Sequence, residues 1–215
     1  TNPPIDHLRE RFVFSLRTVL GARAPILCEG PQAAQGLELE SFLLFPSALA
    51  ELDAERLDAT FAPEEGLEPA LERLAGAAEA AVRAGRGMLL VSDAAAGPGR
   101  APIPILLAVG AVHHRLVREQ LRTHATLVVE SDEPREAHHM ACLLGYGAEA
   151  ICPRLALRTM AALAAEDKLG GDRPSPAEAQ LRFRRAVEDG VLKIMSKMGI
   201  SDVASYCGAQ IFEIV

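Results

Sequence analysis

Apolar residues along the middle of the chain recur with two alternating periods. Three short apolar runs indicate buried strands: GMLLVSD, ATLVVES and AEAIC. Before and after them, four stretches carry apolar residues at helical spacing: 66–87, 103–123, 133–147 and 153–166. The third of these helices should end at Gly145 or Gly147. Because parallel strands need a long connection back to the starting edge, this alternation predicts a parallel sheet with crossover helices.

The flanking segments are predicted to be largely helical. A first helix is expected over about residues 5 to 20, capped by Asp6. The run LELESFLLF reads as a strand or buried extended segment, and PSALAELDAE, which follows it, as a short helix. The stretch DKLGGDRPSP indicates a loop, and a long helix after it should run to Gly199 with a break near Gly190.

The predicted fold class is therefore α/β, a mostly parallel sheet with crossover helices and helical N-terminal and C-terminal segments. It is partial and barrel-like, because only four or five strands are visible and a closed barrel needs eight. We divide the chain into a helical and extended lead-in (1–60), a βα core (61–170), and a long helix with a junction (171–215).

Composition narrows the class of protein. The 215 residues are 49% hydrophobic and 24% charged, which is typical of a globular chain with a sizeable core. The net charge of -7 and the absence of a basic patch argue against nucleic acid as a partner. No apolar run is long enough for a bilayer, so we expect no membrane partner and a cytoplasmic protein. Four cysteines without a CxxC pair are expected to be reduced and mostly buried: Cys28, Cys142, Cys152 and Cys207.

Two histidine pairs resemble metal ligands at first sight: His113 with His114, and His138 with His139. Adjacent residues on a helix point about 100° apart, so one ring of each pair should face inward and the other outward. His139 and Cys142 are three residues apart, a spacing that would let them share an ion. Without CxxC or HExxH spacing, hydrogen-bonded imidazoles are the favoured interpretation and no metal is expected.

Acidic residues follow the strand ATLVVES at its carboxyl end, where α/β proteins place their sites. Glu130, Asp132 and Glu133 have the chemistry of acid or base groups. The same residues serve equally well as a helix N-cap and first-turn charges, which is the favoured interpretation. The nearby run VSDAAAGPGRAPIP is rich in glycine but lacks the spacing of a phosphate-binding loop.

Each end of the chain offers one further candidate. Thr1 could be a nucleophile whose own amine acts as base, but nothing that follows resembles the strand pattern of such hydrolases. Near the other end, Lys193 and Lys197 stand beside the run SKMGIS, a possible phosphate cradle. At four-residue spacing near the end of a helix, they already complement its dipole without a ligand.

Four long motifs, in order, resemble one family. They are TNPPIDHLRERFVFSLRTVLG, IPILLAVGAVHHRLVREQLRTHATLVVES, REAHHMACLLGYGAEAICPRLALRT and LKIMSKMGISDVASYCGAQIFE. They look like the central domain of the glutamate synthase large chain, the ferredoxin- or NAD(P)H-dependent enzyme of ammonia assimilation. The resemblance covers nearly the whole chain.

The resemblance implies a non-catalytic connecting domain in glutamate biosynthesis from glutamine and 2-oxoglutarate. In that family an amidotransferase domain releases ammonia, and a tunnel carries it to an FMN-binding synthase domain. Those flanking domains are the expected partners, and FMN and the iron-sulfur cluster belong to them, so no cofactor and no activity are expected from this chain alone. The resemblance also implies that Thr1 and Asn2 line the tunnel and that the last motif leads toward the FMN-binding domain.

Three positions depart from the family's usual pattern, and two alternatives stay open. Cys207 and Ala94 stand where Arg is common, and Arg154 where Tyr is common, which puts charged contacts at the Arg-usual positions in doubt. One alternative is an N-terminal Thr hydrolase. The other is a stand-alone small α/β enzyme with a phosphate or acidic site; its candidate residues are Glu130, Asp132, His138 and Lys197. A connecting domain, by contrast, predicts apolar patches left exposed where neighbouring domains would pack.

Overall fold

A computed structural model of the chain describes residues 10–21 and 36–212. The strands are β1 Thr18–Leu20, β2 Leu37–Leu39, β3 Glu55–Asp58, β4 Thr60–Phe61, β5 Met88–Ser92, β6 Ala101–Pro102, β7 Thr126–Ser131 and β8 Ala150–Pro153. The helices are α1 Glu10–Val13, α2 Pro46–Ala50, α3 Leu67–Arg83, α4 Ile105–Arg118, α5 Ala137–Gly145, α6 Arg154–Ala165, α7 Pro176–Met198 and α8 Val203–Tyr206. Within these ranges, no helix combines the length and apolar character needed to cross a bilayer.

A sheet of four parallel strands forms the centre of the fold, in the order β3-β5-β7-β8. Each connection between neighbouring strands contains a helix: α3 between β3 and β5, α4 between β5 and β7, and α5 between β7 and β8. The sheet is open, with β3 and β8 at its edges. The predicted α/β class, with a parallel sheet and crossover helices, is confirmed.

The two faces of the sheet are buried in separate apolar clusters. Side chains such as Leu89, Val91, Leu127 and Val129 pack under α3, α4, α5 and α7. The alternate residues, including Leu90 and Val128, face a smaller cluster contributed by β1, α2 and α6. Every residue of β7 and β8 is buried. Burial on both faces explains why these strands are continuous apolar runs in the sequence.

The segments before the core differ most from expectation. The helix expected over about residues 5 to 20 is wrong, because α1 ends at Val13 and the chain then forms β1, which pairs antiparallel with β2. The run LELESFLLF is extended as predicted: its start is β2, and Leu43 forms a bridge with Ile151 of β8. The edge strand β3 was not predicted, since three of its four residues are polar and the segment before it has a helical pattern.

The long helix α7 is continuous, so the predicted break near Gly190 is wrong. It begins in a capping box between Ser175 and Glu178 and ends at Gly199, which adopts the left-handed conformation. A Cβ atom at Gly190 would collide with the Cβ of Ala137 on α5. Gly190 therefore marks the place where two helix backbones pack closely.

Replacing helical glycines with alanine tests this packing. Ala is the better helix former by about 0.5–1 kcal/mol, so Gly76→Ala in α3, where nothing lies near the added Cβ, should raise the free energy of unfolding by that amount. Gly190→Ala should instead lower it by about 1–3 kcal/mol, because the added methyl overpacks the contact with Ala137. Urea unfolding of both variants measures the difference. Equal stabilisation of both would contradict the packing role.

Candidate functional site

Polar side chains gather at the carboxyl ends of the parallel strands. The register places Asp58 beside Ser92, Ser92 beside Glu130, and Glu130 beside Cys152. Ser92 and Glu130 are buried. This edge is where open α/β sheets bind ligands, so it is the first place to look for chemistry. The partners of each side chain decide what it can do there.

A guanidinium holds Glu130. Arg56 Nη1 donates to Glu130 Oε2 and to Ser92 Oγ, both at 2.7 Å. Ser92 Oγ donates to the same Glu130 oxygen at 2.5 Å. The carboxylate oxygen Oε2 thus accepts two hydrogen bonds, one from a positive charge. Charge-assisted contacts of this kind are typical of a structural ion pair.

A second guanidinium, that of Arg154 at the start of α6, holds two aspartates. Arg154 binds Asp132 through Nε and Nη2, both at 2.8 Å, and its Nη2 also reaches Asp93 Oδ1 at 3.2 Å. Asp93 is buried, and its other oxygen accepts from Ser131 Oγ and from the Asp132 backbone N–H. The hydrogen bonds from Arg154 lower the pKa of Asp132 from its usual value.

The remaining acids of this edge are also bound. Asp58 accepts from Arg100 at 2.6 Å and from Thr60 Oγ1 at 2.7 Å. Both carboxylate oxygens of Glu133 lie 3.2 Å from the backbone nitrogen of Ile105, the first residue of α4. The interpretation of these acids as N-cap and first-turn charges of the helix that follows them is wrong, because α5 begins only at Ala137 and Glu130 is bound by Arg56. Glu133 does lie at a helix N-terminus, but that of α4.

A cavity of about 510 Å³ opens next to Asp132. Its walls come from the starts of α4 and α6, the loop after β7, and one face of α5. Its lining residues are Ile105, Leu106, Asp132, Glu133, Pro134, Arg135, His139, Cys142, Leu143 and Leu155. Apart from Asp132 and Glu133, which are already bound, the cavity offers an arginine, an imidazole and a thiol.

The four candidate residues of the acidic or phosphate site are held in different places. Glu130 and Asp132 belong to separate ion-pair networks. His138 is exposed, with its Nε2 3.6 Å from Cys142 Sγ, and Lys197 is exposed in the last turn of α7. No hydrogen bond or ion pair joins any two of the four in the described part of the chain. Their joint role stays a prediction.

The histidines and thiols show no metal arrangement in residues 10–21 and 36–212, where no three potential ligands group together. Cys142 contacts His138 and not His139. Among the cysteines of the described residues, Cys152 is fully buried, as predicted, and Cys142 and Cys207 are half-buried. Burial raises the pKa of Cys152 to about 12, which keeps it a thiol.

A second polar cluster, which sequence reasoning missed, lies at the amino ends of β7 and β8. Arg122 Nε donates to His113 Nδ1 at 3.0 Å, and its Nη2 donates to the Gly147 carbonyl. The same nitrogen lies 3.1 Å from Glu149, which is buried and accepts from the Leu127 backbone N–H. The sequence held a weak signal of this cluster, since Arg122 and Glu149 each stand shortly before a buried apolar strand. They line a cavity of about 180 Å³.

The histidine of this cluster is held in its neutral form. His113 is half-buried and accepts a hydrogen bond at Nδ1, while His114 is exposed, so this pair divides inward and outward as expected. Burial, followed by the positive charges of Arg122 and His114, lowers the pKa of His113 to about 4 from its usual 6.5.

The structure shows the contacts of the three residues that depart from the family's usual pattern. Arg154, where Tyr is common, supplies the ion pairs with Asp93 and Asp132. Cys207 makes a neutral contact, donating to the Ala148 carbonyl at 3.2 Å. Ala94 is exposed, and its backbone N–H donates to Ser92 Oγ. Four residues that the sequence singled out lie outside the described residues: Thr1, Asn2, Asp6 and Cys28.

The fold and the polar side chains at the carboxyl ends of the strands together define a class of protein. It is an α/β domain with a parallel sheet, in which arginines and backbone N–H groups of the domain itself bind the acids at those ends. A family model described as the glutamate synthase central domain matches residues 1–215. The chain belongs to this family, and the resemblance that the sequence indicated is confirmed.

The relatives are long enzymes of which this chain matches a small part. It is 45% identical to the chloroplastic ferredoxin-dependent glutamate synthase of Spinacia oleracea and 41% identical to the glutamate synthase (NADPH) large chain of Bacillus subtilis. Each match covers 100% of this chain and 14% of the relative. The NADH glutamate synthase of Schizosaccharomyces pombe is 39% identical over 99% of this chain and 11% of its own length. The identities to the relatives named for ferredoxin, NADPH and NADH are similar, so they do not distinguish between these electron donors.

Solved structures resemble the fold only loosely. The structure of mandelate oxidase with benzoyl-formic acid superposes with a TM-score of 0.46 and 17% identity, over 62% of this chain and 35% of that one. The L230A variant of flavocytochrome b2 with benzoylformate gives 0.48 and 12%, over 68% and 38%. A likeness of this degree carries no argument about function.

The depressed pKa of His113 predicts a pH dependence of stability. A histidine that stays neutral in the folded chain contributes stability above pH 6.5, and this contribution is lost as the pH falls from 6.5 toward 4. The urea midpoint should therefore fall over that interval, and His113→Gln, which keeps an acceptor for Arg122, should reduce the fall. His138→Gln, at an exposed histidine of α5, should leave it unchanged. An identical fall in the wild type and in His113→Gln would rule out His113 as the source.

Proposed function

We propose that this domain connects the glutaminase and FMN-binding synthase domains of a glutamate synthase without catalysing a step itself. Its task would be to hold the two active sites at a fixed spacing and to contribute to the tunnel that carries ammonia between them. The observation that carries this proposal is how the acidic side chains are bound at the carboxyl edge, that is, at the carboxyl ends of the parallel strands. There, in the described residues, the acidic side chains that an α/β enzyme would use are bound by Arg56, Arg100, Arg154 and the first backbone N–H of α4.

Bound acids of this kind suit a spacer. A general acid or base needs a pKa near the working pH, whereas hydrogen bonds from Arg154 lower the pKa of Asp132 further from that range. The same bonds join β5, β7 and α6, and β3 to β7, into one unit. A stiff unit is what a constant distance between two flanking sites requires.

The remaining features of the proposal come from the family. The parent chain would carry FMN and an iron-sulfur cluster in its other parts, and the flanking amidotransferase and FMN-binding domains would be the partners. Relatives from plants are named chloroplastic, and the Bacillus subtilis relative carries no such word. For this chain we keep the cytoplasm as the proposed location.

One second candidate has an observation in its favour. The cavity of about 510 Å³ beside Asp132 lies where α/β enzymes bind ligands, and it would suit a small substrate of a stand-alone enzyme. We place this function second because Asp132 is bound at both oxygens by Arg154 and Glu133 caps α4.

The complete glutamate synthase chain that contains this domain allows both parts of the proposal to be tested. Bulky side chains in a tunnel wall should block ammonia, so Thr1→Phe and Asn2→Phe should lower glutamine-dependent glutamate formation and release ammonia to solution. Glutamate formation from added ammonium should be kept, because the synthase site itself is unchanged. Asp132→Asn should keep both rates, since no proton transfer is assigned to that residue.

Ala94→Phe is the matched control, because Ala94 is exposed in the loop after β5 and should keep full coupling. The measurements are glutamine hydrolysis, glutamate formation and free ammonia in the same assay. Full coupling in the Thr1 and Asn2 variants would remove the tunnel role. Loss of turnover in a folded Asp132→Asn protein would favour the acidic site instead.

A further inference from the structure

Residues 207–212 lie against α4 and α5 as a strap. One backbone hydrogen bond joins the strap to α5, from the Gly208 N–H to the Leu144 carbonyl at 3.0 Å. The Phe212 ring anchors the far end of the strap. This ring lies over Gly145, so closely that a Cβ there would be 2.6 Å from it. Because glycine has no side chain, Gly145 forms a notch that Phe212 fills.

The near end of the strap lies against the imidazole ring of His113. On one side of this ring, a Cβ at Gly147 would collide with Nδ1. On another side, a Cβ at Gly208 would be only 3.1 Å from Cε1. The ring is therefore enclosed by two stretches of backbone whose close approach depends on glycine. Gly147 belongs to the turn before β8, whereas Gly208 belongs to the strap.

This enclosure requires a neutral His113. Arg122 Nε donates to His113 Nδ1 at 3.0 Å, so Nδ1 must be an acceptor and cannot carry a proton. A protonated ring would turn an N–H toward the Arg122 N–H and bring two positive charges together. The side of Gly147 is fixed, because its carbonyl accepts from Arg122. The strap is therefore the side that can give way.

The other ionisable groups around the ring do not balance a charge on it. Glu149 lies 3.1 Å from Arg122 and already compensates that guanidinium. His114, with its ring centroid 5.3 Å away, would add a like charge. Cys207 and Tyr146 line the cavities beside the ring, and a thiol and a phenol supply no negative charge at neutral or acidic pH.

The strap is not tightly packed against the domain. A cavity of about 230 Å³ lies between the strap, α4 and the end of α5, with His113 and Phe212 among its walls. The buried hydroxyl of Tyr206, whose ring contacts Phe212, has no hydrogen-bond partner in the described part of the chain. A buried hydroxyl without a partner costs free energy, and water reaches it once the strap lifts. Both features lower the free energy of opening.

We infer that residues 207–212 are a pH-sensitive latch, in which the strap is closed on the domain while His113 is neutral and is released when His113 is protonated. The sheet stays folded in both states. In the proposed connecting role, the strap belongs to the junction toward the FMN-binding domain, and the latch would decide whether that junction is held against this domain. The latch is tested on this chain alone, so either proposal can fail without the other.

Hydrogen exchange of the Gly208 amide, followed by NMR on the 215-residue chain, tests the latch. Burial and the charge of Arg122 lower the pKa of His113 to about 4 in the closed state, and opening should return it toward 6.5. The protection of this amide, relative to its intrinsic exchange rate, should therefore fall about twentyfold from pH 7 to pH 5. Its exchange should be faster than that of the β7 amides and insensitive to dilute urea, because a local opening exposes little surface.

Two histidine variants identify the group that titrates. His113→Gln keeps an acceptor for Arg122 and should make the protection of Gly208 nearly independent of pH. His138→Gln is the matched control, because this ring also faces the strap, 6.1 Å from the Phe212 centroid, but is not enclosed by it. It should keep the full pH dependence.

Two alanine variants test the anchor at pH 7. Gly145→Ala should displace Phe212 and lower the protection of Gly208 roughly tenfold, because the added Cβ overpacks the notch. Gly76→Ala, where nothing lies near the added Cβ, should leave that protection unchanged. Circular dichroism should show that every variant is folded.

Four outcomes would overturn the inference. The first is a Gly208 amide with the same protection at both pH values, and the second is a pH dependence that persists in a folded His113→Gln chain or disappears in His138→Gln. The third is exchange of Gly208 at the rate and with the urea dependence of the β7 amides, which would mean that the strap opens only on global unfolding. The fourth is unchanged protection in Gly145→Ala, which does not depend on how the histidine variants fold.

Discussion

The buried carboxylate of Asp93 is the constraint on which the carboxyl edge depends. Its side chain is 3% exposed, and a buried charge without a partner costs several kcal/mol, so the chain must supply a positive group. Arg154 is that group, and it reaches Asp93 from the first turn of α6 while binding Asp132 at both oxygens. One guanidinium thereby fixes the end of β5, the loop after β7 and the start of α6.

The same rule recurs at both ends of the sheet. Arg56 compensates Glu130 at the carboxyl edge, and Arg122 compensates the buried Glu149 at the amino edge. Arg56 joins β3 to β7 across the strand between them, and Arg122, just before β7, binds the acid just before β8, so each pair ties separate strands together. Such pairs hold the strands together, and this agrees with the proposed connecting role better than with acid or base catalysis. The chain belongs to the family of the glutamate synthase central domain and matches 14% of the length of relatives such as that of Spinacia oleracea.

Sequence patterns predicted the parts of the fold that burial alone determines. The runs that became β7 and β8 are apolar because both faces of the sheet are covered, and the pattern was sufficient. β1 and β3 escaped prediction because pairing with distant strands decides them, and local propensity does not report such pairing. For the site, the acids at the strand ends were visible, but their partners were not. Arg154 and Arg56 are brought to them by tertiary structure across many residues.

A double-mutant cycle between Arg154 and Asp93 tests most directly whether the edge is a structural ion-pair network. Arg154→Gln should lower the free energy of unfolding by about 3 kcal/mol, because Asp93 is left charged and buried. In an Asp93→Asn background the same substitution should cost about 1 kcal/mol or less, since no buried charge remains at position 93. Equal costs in the two backgrounds would mean that Asp93 does not depend on Arg154. That result would contradict the account of this edge as a structural ion-pair network.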